Sequence, residues 1–332
     1  MGVVLVGLLS TVLAPDFAGA APVQISYITA AHPDDEFSLW SLVTGSTGNY
    51  KAMIYLTQGE QSSACQTAAE GATTGAGPYW YQGPTSPVLQ PNYGEINPVG
   101  ATLWAGRWTA LCREGRRNST MAWLDAKAAS DGAIPNGFTL RGTYSFPGNT
   151  SAGLPPQRFD GTSVPIESRT ATVYDVSNGM GKLIFFDLGD GDLTKEEARW
   201  ALEAVRNNKA TLGIPTTMPD TNAIAPYRHD GSYSNCATYD HPDHAAAHQA
   251  LWNYDMINGK QYGRTCATDP DVFRTNSIPT AEYNATIAMS GTQRVGVLQT
   301  RYGWLEATYF DNAYTCSTCL VTATQSFWGR FG

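Results

Sequence analysis

The stretch Gln24-Ile25-Ser26-Tyr27-Ile28-Thr29-Ala30-Ala31-His32-Pro33-Asp34-Asp35-Glu36 decides how the chain is read. An apolar, β-prone run ends abruptly at an imidazole followed by three carboxylates, a composition that is costly to leave unpaired beside a strand end. Something cationic is expected there. Two hundred residues later the chain carries His241-Pro242-Asp243-His244, again an imidazole and a carboxylate around a proline. The chain has 5 His in 332 residues, and His241, His244 and His248 fall within one short stretch. Catalytic zinc usually takes three protein ligands from His, Asp or Glu and keeps a fourth position for water. His32, Asp35 and one of the later histidines would make such a set.

What surrounds the first motif sets the fold class. Glu36 to Val43 has apolar residues spaced for a short helix, and Lys51 to Thr57 reads as a second strand. Strand, loop, helix, strand opens a parallel α/β unit, in which ligands sit at the carboxyl ends of the strands. Further strands are expected at Lys182 to Asp187, Ala223 to Tyr227 and Arg294 to Thr300, and helices over Pro98 to Lys127 and from Asp243 to Tyr254. Thr194 with Glu197 forms a capping box, Ala198, Ala201, Leu202 and Val205 follow at helical spacing, and Gly213 stands at a C-cap. The preceding Leu188-Gly189-Asp190-Gly191-Asp192 lacks the glutamate and register of a calcium loop and reads as a turn into that helix.

Together the two motifs resemble the PIG-L/LmbE-like family of zinc-dependent N-acetylglucosaminide deacetylases. The resemblance rests on about six residues at each motif and implies an α/β fold with a Rossmann-like, mainly parallel sheet flanked by helices, with long loop and β insertions. It implies metal ligands at His32, Asp35 and His244 for Zn2+, with another divalent metal as the alternative. Asp34 would be the general base, His241 would hold the tetrahedral intermediate, Asp243 would orient His241, and Tyr239 would polarise the carbonyl or gate the pocket. Arg107 matches a substrate-holding arginine, although the glutamate expected close after it is absent and Arg113-Glu114 lies further on. Glu36 could replace Asp35 as a ligand, but hydrogen bonding within the loop or to a ligand imidazole suits it better. His248, one turn after His244 in an Ala-rich helix, reads as a packing residue or a support behind a metal ligand, and His229 as a surface residue.

Composition limits the remaining choices. A net charge of -8 with 21 Lys and Arg argues against a nucleic-acid surface, which needs clustered cations. Met1 to Leu13 is apolar and is followed by Ala18-Gly19-Ala20, so residues 1–20 read as a secretory signal peptide, too short to span a bilayer. Residues 21–332 then form a single domain with insertions near 59–100 and 135–179, the second turn-rich with short β-like pieces such as Ala171 to Val176, and no other run predicts a membrane span. Sequons at Asn118, Asn149 and Asn284 and six cysteines suit a secreted glycoprotein with disulfides. Cys316 and Cys319 read as a disulfide rather than half a zinc knuckle; Cys65 and Cys112, like Cys236 and Cys266, are neighbours in sequence, but connectivity stays open. Tyr79, Trp80 and Tyr81 in the first insertion could stack on sugar rings or anchor a long loop.

The expected activity is therefore removal of an N-acetyl group from an N-acetylglucosamine-type sugar or glycoconjugate by a secreted metal-dependent hydrolase, with oligomeric state undetermined. An amidase on a non-sugar N-acyl substrate, or an inactive carbohydrate-binding protein of the same fold, are the alternatives. The intact Asp34 and His241 weigh against the last, because a pure binder needs no general base.

Overall fold

Strand β1 (Gln24–Ala30) is buried on both faces, as expected of the middle strand of a parallel sheet. In the computed structural model, which describes residues 21–59, 110–148, 168–191, 193–226, 242–265, 272–288 and 323–331, it pairs in parallel with β2 (Asn49–Thr57) on one side and β6 (Asp220–Ala225) on the other. Beyond β2 lies β5 (Gly181–Leu188), and beyond β6 lies β7 (Lys260–Thr265), both parallel to their neighbours. Strands β3 (Phe138–Phe146), β4 (Arg169–Val176), β8 (Val272–Ser277) and β9 (Thr324–Phe331) add antiparallel flanks, giving a sheet of order β3-β4-β5-β2-β1-β6-β7-β9-β8. The mainly parallel sheet expected from the sequence is thus a parallel centre with an antiparallel pair at each edge.

The helices cover both faces. On one side stand a 3-10 turn (Asp35–Leu39), α1 (Trp40–Val43) and α2 (Ala110–Ala128); on the other, α3 (Lys195–Asn207), α4 (Lys209–Leu212) and α5 (Pro242–Asn253). Helix α6 (Thr280–Ala288) lies between β8 and β9 in sequence. The alternation of strand side chains explains the layering. From β2, Ala52, Ile54 and Leu56 enter a core with Ala201, Leu202 and Val205 of α3 and Ala247 and Leu251 of α5. Met53 and Tyr55 enter the opposite core with Trp40 of α1 and Trp123 and Leu124 of α2.

Several elements differ from the sequence reading. The segment 135–179, expected as a turn-rich insertion with short β pieces such as Ala171 to Val176, supplies two full strands, β3 and β4, which join the sheet through β5. The exposed Thr139, Leu140, Arg141, Thr143 and Ser145 and the break in register at Gly142 mark β3 as the edge strand. The helix expected over Glu36 to Val43 is a 3-10 turn followed by one α-helical turn. The strand expected at Arg294 to Thr300, the aromatics Tyr79 to Tyr81, the expected signal segment and five of the six cysteines lie outside the described residues. Asn284 is exposed on α6, whereas Asn118 sits within α2 with its Thr120 fully buried. No helix among the described residues is long and apolar enough to cross a membrane.

The capping box at α3 is formed. Glu197 N–H donates to Thr194 Oγ1 at 3.1 Å, and Thr194 N–H donates to Glu197 Oε2 at 2.9 Å. Thr194→Ala removes the hydroxyl acceptor and is expected to lower stability by about 1 kcal/mol, read as a lower urea midpoint with unchanged slope. Because α3 follows closely on Asp190 and Gly191, its anchoring also helps to fix residues that reach the candidate site.

Candidate metal centre

Strand order reverses at β1: the chain runs outward through β2 and β5 on one side and through β6 and β7 on the other. A crevice opens at such a point beyond the carboxyl ends of the strands. His32 to Glu36 follow β1 there, Asp190 follows β5, and Asp243 and His244 open α5, the helix that follows β6.

Asp35 joins two imidazoles. Its Oδ2 lies 3.1 Å from His32 Nδ1 and accepts the His32 main-chain N–H at 2.7 Å, while its Oδ1 lies 2.9 Å from His244 Nε2. The two rings are 5.3 Å apart between centroids. One donor atom from each of His32, Asp35 and His244 falls within 4.8 Å of the others, and all three side chains are buried. His32, Asp190 and Asp243 make a second such group. His32 Nε2 is 3.0 Å from both Asp190 Oδ1 and Asp243 Oδ2.

The charge balance favours a cation. Asp34, Asp35, Glu36, Asp190 and Asp243 are all buried, and facing them among the described residues are the Arg116 guanidinium and the imidazoles of His32 and His244. Ionised carboxylates are stable away from water only when paired or coordinated. Mixed imidazole and carboxylate donors suit zinc and its divalent neighbours. Burial alone pushes the His32 imidazole down, but the Asp190 and Asp35 carboxylates outweigh it and hold it well above its ordinary value. Burial pushes Asp35 up, and the His244 and His32 rings overcome this to hold it well below the usual carboxylate range.

Asp34 stands apart from this donor set. It is the one residue other than glycine, among those described, with positive φ, at 124°. Such a backbone costs on the order of 1–3 kcal/mol and persists only when its surroundings hold it. Here Asp34 N–H donates to Glu36 Oε2 at 2.9 Å, and Arg116 Nη2 donates to Pro33 O at 2.9 Å and to Asp34 Oδ2 at 2.8 Å. Burial raises the Asp34 carboxyl above its ordinary value, with Arg116 opposing and Asp35 adding to the rise. The loop role expected of Glu36 is the one its contact with Asp34 N–H describes.

Asp243, expected beside His241, accepts from Gly191 N–H at 2.9 Å through Oδ2 and from Leu193 N–H at 3.0 Å through Oδ1, besides its contact with His32. His241, Tyr239, Arg107 and His229 lie outside the described residues. His248 is a packing residue: Trp328 Nε1 donates to its Nε2 at 2.5 Å and its Nδ1 lies 3.1 Å from Pro226 O, tying α5 to β9 and to the end of β6. Sequence reasoning missed Arg116 and Asp190. Arg116 shares a buried stripe of α2 with Thr120, Trp123, Leu124 and Lys127, a spacing that could have drawn attention to it.

No protein-family model matches the chain, and no curated protein sequence matches it. The functional reading therefore rests on the two motifs and on the geometry they produce.

Proposed function

We propose that this chain is a metal-dependent hydrolase that removes an N-acetyl group from an N-acetylglucosamine-type sugar or glycoconjugate, with Zn2+ held by His32, Asp35 and His244. The observation that carries the reading is this buried set of two imidazoles and a carboxylate, with a further carboxylate, Asp34, on the adjoining residue. The parallel centre, with its strand order reversing at β1, supports a Rossmann-like arrangement of the kind the motif resemblance implies.

When bound, the metal supplies a Lewis acid and lowers the pKa of its water to about 7. The protein's own residues supply the rest. Arg116 occupies Asp34 Oδ2, so Asp34 Oδ1 is the oxygen that takes a proton from the attacking water and returns it to the departing amine. Its raised pKa matches that double duty, because a base near neutrality both accepts and gives back a proton. His241 and Tyr239 are the residues assigned by resemblance to the oxyanion, and Arg107 to substrate. Extracellular action rests on the leader-like N-terminal sequence and the sequons.

The test is acetate release from a panel of N-acetylglucosamine-containing saccharides and glycoconjugates. Activity is expected, with loss on chelation and recovery on adding back zinc. Failure of metal-loaded protein to release acetate from any of them overturns the substrate class. Release of acyl groups only from non-sugar amides would replace it with the amidase reading.

A further inference from the structure

We propose that Asp190 and Asp243 are positioning residues that fix the His32 imidazole with its proton on Nε2, so that Nδ1 is the nitrogen offered to a divalent cation. The inference rests on the metal centre described above and goes beyond it in assigning work to the turn between β5 and α3.

Asp243 receives Gly191 N–H at Oδ2 and Leu193 N–H at Oδ1, so the turn holds both of its oxygens in place beside the His32 ring. Its Oδ2 stands 3.0 Å from His32 Nε2, placed to accept a proton carried on that nitrogen. Asp190 Oδ1, also 3.0 Å from Nε2, meets the same edge of the ring from a second direction. A neutral imidazole protonated at Nε2 carries its lone pair on Nδ1. That nitrogen faces Asp35, whose other oxygen meets His244. His32 thus has two carboxylates on one edge and the rest of the donor set on the other. Carboxylates behind a ligand imidazole fix its orientation and raise its basicity, and their loss typically costs 10–100-fold in metal affinity.

The arrangement is built by the backbone. Gly191 has φ 97°, a conformation that side chains resist, and this turn delivers its N–H to Asp243. Asp190, Gly191 and Leu193 come from one turn, His32 from the end of β1, and Asp243 from the first turn of α5. Three segments far apart in sequence meet on one ring. The alternative use of His32, Asp190 and Asp243 is a second cation site. The N–H donors already on both Asp243 oxygens favour the hydrogen-bonded arrangement.

The experiment compares full-length wild type with Asp190→Asn and, as a second turn-compatible variant, Asp190→Ser. Zinc affinity is measured by competition with a chromophoric chelator, and the histidine nitrogens are followed by 15N NMR of the zinc-loaded proteins. Wild type is expected to bind one zinc and to show one imidazole protonated at Nε2 and metal-bound at Nδ1. The variants should keep cooperative unfolding, bind zinc 10–100-fold more weakly and lose that signature. Unchanged zinc affinity in folded variants overturns the positioning role and leaves the metal centre standing. Wild type that binds no zinc overturns both. Two tightly bound zinc ions in wild type, one of them lost in the variants, overturn the positioning role in favour of a second cation site.

Discussion

Asp34→Asn is expected to lower kcat for deacetylation by about 10²–10⁴ while leaving zinc content at one ion per chain, because it removes a proton acceptor and none of His32, Asp35 or His244. The substitution is nearly isosteric, and asparagine is among the residues that best tolerate positive φ, so the strained backbone at φ 124° is retained. Its carbonyl oxygen can still accept from Arg116 in place of Asp34 Oδ2. What it cannot do is take up a proton at neutral pH. The measurement is steady-state acetate release with metal analysis on the same preparation. A variant that retains full activity with zinc bound would remove Asp34 from the chemistry and move the base to another residue. A variant that loses zinc as well would place Asp34 among the metal's supports.

The parts of this site that were legible in the sequence are those encoded by close spacing. His32, Asp34, Asp35 and Glu36 occupy a single loop, and Asp243 and His244 a single helix start, so their chemistry was visible before any fold was known. The pattern of strands around them followed from long buried runs such as those of β1, β2 and β5. Of the flanking hairpin, the Ala171 to Val176 piece of β4 was legible; β3 was not, although Phe138, Leu140, Tyr144 and Phe146 alternate with polar residues, because the Gly, Pro and Asn around it signal turns. Nor was Asp190. An aspartate among glycines signals a turn on local grounds, and its second role depends on His32, which lies 158 positions earlier and is met only when β5 and β1 enter the same sheet.

Arg116 shows the same limitation and gives the second large effect. Arg116→Met is expected to destabilise the metal-free protein by about 3–5 kcal/mol, because it takes the guanidinium from a carboxylate that stays buried. Arg116 and Asp34 are each about 4% exposed as side chains, so little water can replace the lost contact. The guanidinium also donates to Pro33 O, and thus restrains both ends of the strained Pro33–Asp34 link. Room for it is made by Gly59, at φ 64°, where a Cβ would run into the Arg116 side chain. Methionine fills the space of the arginine stem but offers no donor, so the loss is electrostatic more than one of packing. Adding Asp34→Asn to Arg116→Met removes the stranded charge, and the double variant should recover part of the stability lost in the single one. Urea unfolding of the four members of this cycle measures the coupling directly. Strict additivity of the two substitutions would mean that the carboxyl is already neutral in the folded protein, and that the arginine holds the loop through Pro33 O alone.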